Sequence, residues 1–151
     1  MELPEPPPDL PDAPARFYAA LRARLADETI VWADAEDDGI QFGDAGVGIT
    51  LTHVEDPDWV VAAQVSRVDA LVFVGPAAHH AFDPEAAAAL LARALRGEIE
   101  VTLRYRGDAL VRVTATDADQ TTLADARVGG PATWLRRGPE TEQRRRMDYR
   151  A

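Results

Sequence analysis

The sequence predicts an α+β fold, with a mainly antiparallel sheet of about six to seven strands covered by two helices. The first observation is an alanine- and leucine-rich segment between Asp83 and Gly97, which are typical start and stop residues of a helix. The second is a series of short segments that alternate apolar and polar residues and are separated by turn residues. Such alternation indicates antiparallel strands with one buried face.

The composition narrows the class of protein. The chain has 151 residues, which suits one domain, and its formal net charge is −10. It contains no Cys, which excludes disulfides and thiolate chemistry, and all 16 basic residues are Arg. The N-terminus is acidic and rich in proline, and no apolar run is long enough to cross a membrane. We therefore expect a cytoplasmic protein whose acidity disfavours membranes and nucleic acids as partners.

Three regions are predicted along the chain. Residues 1–14 contain six prolines and are expected to form a disordered tail, because such a segment cannot bury a core. Residues 15–130 form the single α+β domain. Residues 131–151 form an arginine-rich C-terminal tail or helix. Gly138-Pro139-Glu140 is the start signal for that short helix, which pairs of Glu and Arg one turn apart would stabilise.

The domain is expected to begin with a helix over 15–26, because Phe17, Leu21 and Leu25 recur on one helical face. A strand at 29–33 and an acidic turn at 34–39 follow it. Further strands are predicted over 40–42, 47–54, 59–66 and 71–74.

The second and third of these strands are expected to form a hairpin across Glu55-Asp56-Pro57. A connection of odd length keeps the apolar residues of both strands on one face. It also places His53 opposite Trp59.

The acidic turn resembles the opening of an EF-hand calcium loop. Asp34, Glu36 and Asp38 hold the first three alternate ligand positions, and Gly39 holds the glycine position. The position of the bidentate Glu is occupied by Ala45, and no helical pattern follows. We therefore expect a solvated hairpin turn here and no metal site.

After the helix that starts at Asp83, residues 98–117 are expected to form a second hairpin. Ile99, Val101 and Leu103 alternate with polar residues, as do Val111 and Val113. A three-residue connection, Arg106-Gly107-Asp108, would pair Leu103 with Val111 and keep the faces matched. An edge strand over 121–128 is then expected.

Few residues are available for covalent catalysis. Ser66 is the only Ser and has no nucleophile-elbow residues around it, and Lys is absent. Asp117-Ala118-Asp119 resembles the nucleophile motif of haloacid-dehalogenase-type phosphatases, which would make Asp117 the nucleophile and Asp119 the acid/base. That family requires a large parallel α/β domain downstream, and this chain has about thirty residues left. We interpret the segment as a polar turn, and we assign no catalytic residue and no cofactor.

The three histidines offer a second hypothesis. A pocket near His53, Trp59, His79 and His80 would suit a small-molecule-binding domain or an enzyme, because His titrates near neutral pH. Adjacent residues point in different directions, and no further ligand has motif spacing. We therefore predict a loop or core-edge role for the pair and no metal site.

The C-terminal arginines offer a third hypothesis, nucleic-acid binding. Five of them form two runs, with Trp134 and Tyr149 available for stacking: Arg136, Arg137, Arg144, Arg145 and Arg146. The acidic body works against such binding. We expect these arginines to contact that body or a partner subunit instead.

The first hypothesis is a non-catalytic, acidic protein-binding module, such as a dimeric chaperone or adaptor. The order of elements and the acidity are similar to those of small bacterial secretion-chaperone-like domains, and that similarity implies protein partners and homodimers. An apolar groove open to solvent would favour this hypothesis, whereas an enclosed cavity with converging polar groups would favour the second.

Overall fold

The computed structural model describes residues 3–151 and confirms the α+β class. The elements in chain order are α1 (Asp12–Arg24), β1 (Gly39–Gly43), β2 (Gly46–Thr52), β3 (Val60–Ser66), β4 (Ala70–Val74), β5 (Ala77–Ala81), α2 (Pro84–Leu95), β6 (Glu100–Arg106), β7 (Ala109–Thr116), β8 (Thr122–Arg127), α3 (Pro131–Trp134) and β9 (Glu140–Arg145).

The strands form two antiparallel sheets and not one. The first has the order β1-β2-β3-β4-β5, and the second has the order β8-β7-β6-β9. The expected count of six to seven strands was too low because β5 and β9 were not predicted. The sequence of β5, Ala77–Ala81, lacks large apolar residues that would reveal a strand.

Helices α1 and α2 pack against each other and against one face of the five-stranded sheet. That face presents the buried residues Val47, Ile49, Leu51, Val61, Ala63, Val65, Val72 and Val74. Helix α2 begins as expected, because the Asp83 carboxylate accepts a hydrogen bond from the Ala86 N–H at 2.9 Å. Helix α1 starts at Asp12, three residues before the expected start at 15, and Arg16 binds Glu85 of α2 through two hydrogen bonds.

The first hairpin has the expected register. Thr52 lies opposite Val60, and the His53 N–H donates to the Trp59 carbonyl at 2.9 Å, so the two side chains are cross-strand neighbours. The expected strand at 29–33 is reduced to a single bridge between Ile30 and Arg150.

The register predicted for the hairpin of β6 and β7 is wrong. A two-residue turn with Gly107 at φ +62° closes it, and Leu103 pairs with Val113 instead of Val111. A β-bulge at Val111 supplies the extra residue that keeps Leu103 and Val113 on the core face.

The bulge also changes which residues near the turn face the core. Leu110, expected on the polar face, packs against the core, whereas Val111 is buried outside the main core cluster and lies beside Trp134. One inserted residue reverses the alternation on one side of the bulge.

The expected C-terminal helix after Gly138 is also wrong, because residues 140–145 form the edge strand β9 beside β6. In a helix, Glu140 and Glu142 would each pair with an Arg one turn away. In the strand they contact Arg104 on β6 instead, at 3.3 and 4.0 Å. The open edge of β6 offers backbone hydrogen bonds that outweigh local helix propensity. The short helix α3 lies upstream of that signal.

We expect Val101→Ala to destabilise the protein by about 1–3 kcal/mol, because Val101 is fully buried and its loss leaves a cavity. Thr114→Ala on the outer face of the same sheet should change the free energy of unfolding far less. Urea titration of both variants checks this. Equal losses would show that the core does not lie on the Val101 face.

A second prediction concerns alkaline pH. Burial raises the pKa of Tyr18 to about 12, and burial also raises the pKa of Tyr149. Both tyrosine pKa values are higher in the folded protein than in the unfolded chain. The stability that the two protonated hydroxyls contribute is therefore complete below the unfolded pKa, and it is lost as the pH rises through the folded pKa values. Because the chain has no Lys, Tyr is the side chain that titrates in this range.

We therefore expect the melting temperature to fall between pH 10 and 12. The variant Tyr18→Phe with Tyr149→Phe should be less stable at neutral pH, where it lacks two hydrogen bonds, yet lose less stability over that alkaline range. Thermal melts of both proteins across the range measure the difference. Parallel curves would contradict the assignment to these two phenols.

Candidate functional site

The most unusual surface is the face of the five-stranded sheet that points away from the helices. We call it the open sheet face, and it consists of the outward residues of β1 to β5: Gly39, Gln41, Gly43, Gly46, Gly48, Thr50, Thr52, Val60, Ala62, Gln64, Ser66, Leu71, Phe73, Ala78 and His80. None of these is Asp, Glu, Lys or Arg. In a chain with 28% charged residues, a solvent-facing sheet surface is expected to be polar and charged.

The open sheet face has a ridge and a trough. Gly48, Gln64 and Leu71 lie directly opposite one another on β2, β3 and β4, and Thr50, Ala62 and Phe73 form the next row. Leu71 and Phe73 therefore stand side by side on β4 as the ridge. A Cβ built on Gly48 meets no atom within 4 Å, so the trough above β2 is open.

Two apolar side chains extend this surface at its rim. Val68 in the β3–β4 turn is 82% exposed, and Phe82 after β5 is 80% exposed. The Phe82 ring contacts His80 with the ring centroids 4.7 Å apart. Exposed apolar side chains beside a contiguous uncharged surface are typical of protein contact sites.

Ser66, Asp69 and His80 lie together at one end of the open sheet face, but they do not form a catalytic triad. The Ser66 hydroxyl donates to Asp69 Oδ1 at 2.8 Å, and His80 Nε2 lies 3.2 Å from Asp69 Oδ2. In a triad the imidazole contacts the hydroxyl, whereas here the carboxylate separates them. Ser66 also accepts the N–H groups of Val68 and Asp69, which indicates that it stabilises the turn.

The predicted pocket residues separate into a buried pair and an edge pair. His53 and Trp59 are 5% and 1% exposed. His53 Nε2 lies 3.0 Å from the Asp148 carbonyl, and its ring meets Tyr149 edge to face at 5.0 Å. Trp59 is covered by Arg145, whose guanidinium lies 5.0 Å from the ring centroid. Both rings are therefore packed against protein groups.

His79 and His80 alternate along β5 and face opposite sides of the sheet. His79 Nδ1 lies 2.5 Å from the Leu123 carbonyl and so connects the two sheets, whereas His80 belongs to the open sheet face. Among residues 3–151, no group of three or more His, Asp or Glu side chains is placed to hold a metal ion.

The two motif-like acidic segments have structural roles. In the turn at 34–39, Asp38 accepts hydrogen bonds from Ala35 N–H and from the backbone and side chain of Thr52, so it ties the turn to β2. After β7, Asp117 accepts the N–H groups of Thr121 and Asp119 and contacts Arg93 at 3.4 Å. The Thr121 N–H, followed by Arg93, holds the pKa of Asp117 below its ordinary value.

The C-terminal arginines are distributed over different surfaces. Arg136 contacts Asp108 at 3.0 Å, Arg144 contacts Glu142 at 3.2 Å, and Arg145 forms an ion pair with Asp56. Arg137 and Arg146 are exposed. Tyr149, proposed above as a stacking residue, is 1% exposed and therefore cannot stack on a base.

Comparison of this chain with protein-family models, with curated proteins and with solved structures finds no match. Among residues 3–151, no helix has both the length and the apolar character needed to span a membrane. The chemistry of the described surfaces is therefore the basis for any functional proposal.

Sequence reasoning missed the open sheet face. Residues 71–74 are continuously apolar, which suits an interior strand, and β4 does lie between β3 and β5. Leu71 and Phe73 are half-buried on the outer side of β4. The available signal was the run of Gly, Ala, Thr and Gln at the outward positions of the neighbouring strands, where charged residues would be usual.

We expect an activated fluorophosphonate to leave Ser66 unlabelled, because its hydroxyl is held by a carboxylate and two backbone N–H groups. Ser66→Ala should lower stability by about 1 kcal/mol through loss of the turn hydrogen bonds. Intact-mass spectrometry after incubation with the probe, and urea titration of the variant, measure these two results. Stoichiometric labelling at Ser66 would overturn the structural role.

Proposed function

We propose that the protein is a non-catalytic protein-binding module that forms a homodimer through the open sheet face. The observation that carries this proposal is the lack of any Asp, Glu, Lys or Arg at the outward strand positions of that face, in a chain of net charge −10. A dimeric adaptor or chaperone would keep its acidic outer surfaces available for a basic protein partner.

The lack of charged residues at the outward strand positions permits a second copy of this chain as the occupant, although the net charges of the two copies repel. Two copies that each carry −10 repel through most of their surfaces, and an uncharged face allows close approach without burying unpaired charges. The acidic turns at 34–39 and 55–58 flank one end of the face. Salt screens such exposed charges beyond roughly 8 Å, so the dimer should become tighter as salt is raised, whereas an ion-paired interface would weaken.

The register makes the open sheet face self-complementary. β3 is the central strand, and a two-fold axis parallel to it would place β4 of one copy over β2 of the other. Within each row Leu71 would then lie over Gly48, and Phe73 over Thr50, so the ridge of each copy meets the trough of its partner. Gln64 would face its own copy, and an amide both donates and accepts hydrogen bonds.

The size of the face suggests a moderate affinity. Five strands about 4.8 Å apart and about five residues long give roughly 400 Å² of projected area per copy. Val68 and Phe82 at the rim add apolar area. The two copies together contribute roughly 800 Å², which is below the roughly 1,200 Å² at which stable interfaces begin, so we expect a transient dimer that dissociates at micromolar or higher concentrations.

The test is sedimentation equilibrium over a range of protein concentrations. Leu71→Glu would bury an unpaired carboxylate in the interface and should yield a monomer at every concentration. Leu135→Glu is the matched control, because Leu135 is 80% exposed beside α3, away from the open sheet face, and this variant should dimerise normally. Thermal melts of both variants check that they fold.

Gly48→Val gives an independent test. The added side chain meets nothing within 4 Å in one copy, and valine favours a strand, so the folded monomer should be as stable or more stable. The same side chain fills the trough that receives Leu71 and should weaken dimerisation at least tenfold. A wild-type protein that stays monomeric at all concentrations, or a dimer that both variants leave intact, would overturn the proposal.

A further inference from the structure

A second unusual surface lies on the outer face of the four-stranded sheet. Arg104, Arg112 and Arg127 occupy directly opposed positions on β6, β7 and β8. Directly opposed like charges destabilise a sheet, because their Cβ atoms lie only about 5 Å apart. Sheet stability therefore does not explain this row of three arginines in an acidic protein.

The row forms part of a cleft of about 240 Å³. Arg106, two residues after Arg104 on β6, also lines the cleft, and so do Val111, Trp134 and Glu140. The bulge turns Val111 outward, and Trp134 is fixed by a hydrogen bond from its indole N–H to the Val128 carbonyl at 3.0 Å. The cleft therefore combines four guanidinium groups with an apolar residue and an indole ring.

Internal ion pairs neutralise only part of this charge. Arg112 forms two hydrogen bonds with Asp125, and Arg104 contacts Glu140 and Glu142. Arg106 donates to the Trp134 carbonyl, and the Arg127 guanidinium lies 5.5 Å from the centroid of the Trp134 ring. Within residues 3–151, neither Arg106 nor Arg127 has a carboxylate within 4.0 Å, the limit for an ion pair.

We propose that this cleft binds the oxyanion group of a small ligand, either a phosphate or a carboxylate. Guanidinium groups match the geometry of both anions and can donate two parallel hydrogen bonds to each. Val111 and the Trp134 ring offer contact to a short carbon skeleton attached to the anion. Glu140 lines one side and disfavours an extended polyanion, and the net charge of −10 repels nucleic acid as well.

This site is independent of the proposed dimer, because it lies on the other sheet. The two matched variants of the test are Arg127→Gln and Arg106→Gln, each of which removes one cation that lacks a carboxylate partner. Arg67→Gln is the control, because Arg67 is an exposed cation in the β3–β4 turn and outside the cleft.

The experiment follows the indole N–H signal of Trp134 by heteronuclear NMR, with Trp134→Phe used to assign it. Sodium phosphate and sodium acetate are titrated separately at constant ionic strength against sodium chloride. We expect a saturable shift with at least one of the two anions. The apparent Kd should be at least tenfold weaker in Arg127→Gln and in Arg106→Gln, and unchanged in Arg67→Gln.

The two anions separate the sources of the oxyanion. Saturation by phosphate alone assigns a phosphorylated ligand, saturation by acetate alone assigns a carboxylic acid, and saturation by both assigns an oxyanion site that accepts either. Arg127→Lys keeps the charge but not the planar fork, so it should fold normally and still bind more weakly than wild type.

Several results would overturn the proposal. A shift that stays linear, or that chloride reproduces at equal ionic strength, would show screening and no site. Saturation that Arg127→Gln and Arg106→Gln leave unchanged would place the anion elsewhere. A single-stranded oligonucleotide that binds more tightly than phosphate, and loses binding in the same variants, would replace the small ligand with nucleic acid.

Discussion

Tyr149, two residues before the last residue of the chain, joins parts of the chain that are distant in sequence. Its hydroxyl donates to the Leu51 carbonyl at 2.9 Å, near the end of β2, and its N–H donates to the Leu95 carbonyl at 2.8 Å, at the end of α2. Its own carbonyl accepts the Val31 N–H at 2.8 Å. Removing this residue would leave buried polar groups unpaired in all three segments, which is costly in an apolar interior. The five-stranded sheet, helix α2 and the segment around Val31 are therefore stabilised together.

The packing of the helices and the two sheets around one core determines which surfaces remain exposed to a partner or ligand. The helices cover one face of the five-stranded sheet, and the four-stranded sheet continues the same core through residues such as Val101 and Val113. Each sheet is left with one outer face, and the two faces differ in chemistry. The larger carries Gly, Ala, Thr and Gln beside Leu71 and Phe73, whereas the smaller carries cross-strand Arg and Glu. One face suits contact with another uncharged surface, and the other suits an anion.

Local patterns predicted the parts of the fold that local forces determine. The Asp83 cap and the alanine-rich run identified α2, and parity placed His53 opposite Trp59. The same parity argument failed at Val111, because an alternation pattern does not distinguish a longer turn from a two-residue turn with a bulge. The helix predicted at 140–145 was wrong for another reason. The spacing of Glu and Arg there suits a helix and a cross-strand ladder equally, and pairing with the open edge of β6 stabilises the strand. The candidate surfaces depend on such long-range pairing, so the sequence alone did not locate them.

An uncharged sheet face carries a risk of uncontrolled association, and the fold limits it. Edge strand β5 packs beside β8, so that edge is covered, and the other edge strand, β1, has only five residues. Acidic residues at 34–38 and 55–58 border one end of the face and repel further copies. A two-fold arrangement with the ridge of each copy in the trough of the other covers the face on both partners at once. In the dimer proposed above, such an interface would leave no complementary surface for a third copy, so association that begins on this face would end at the dimer.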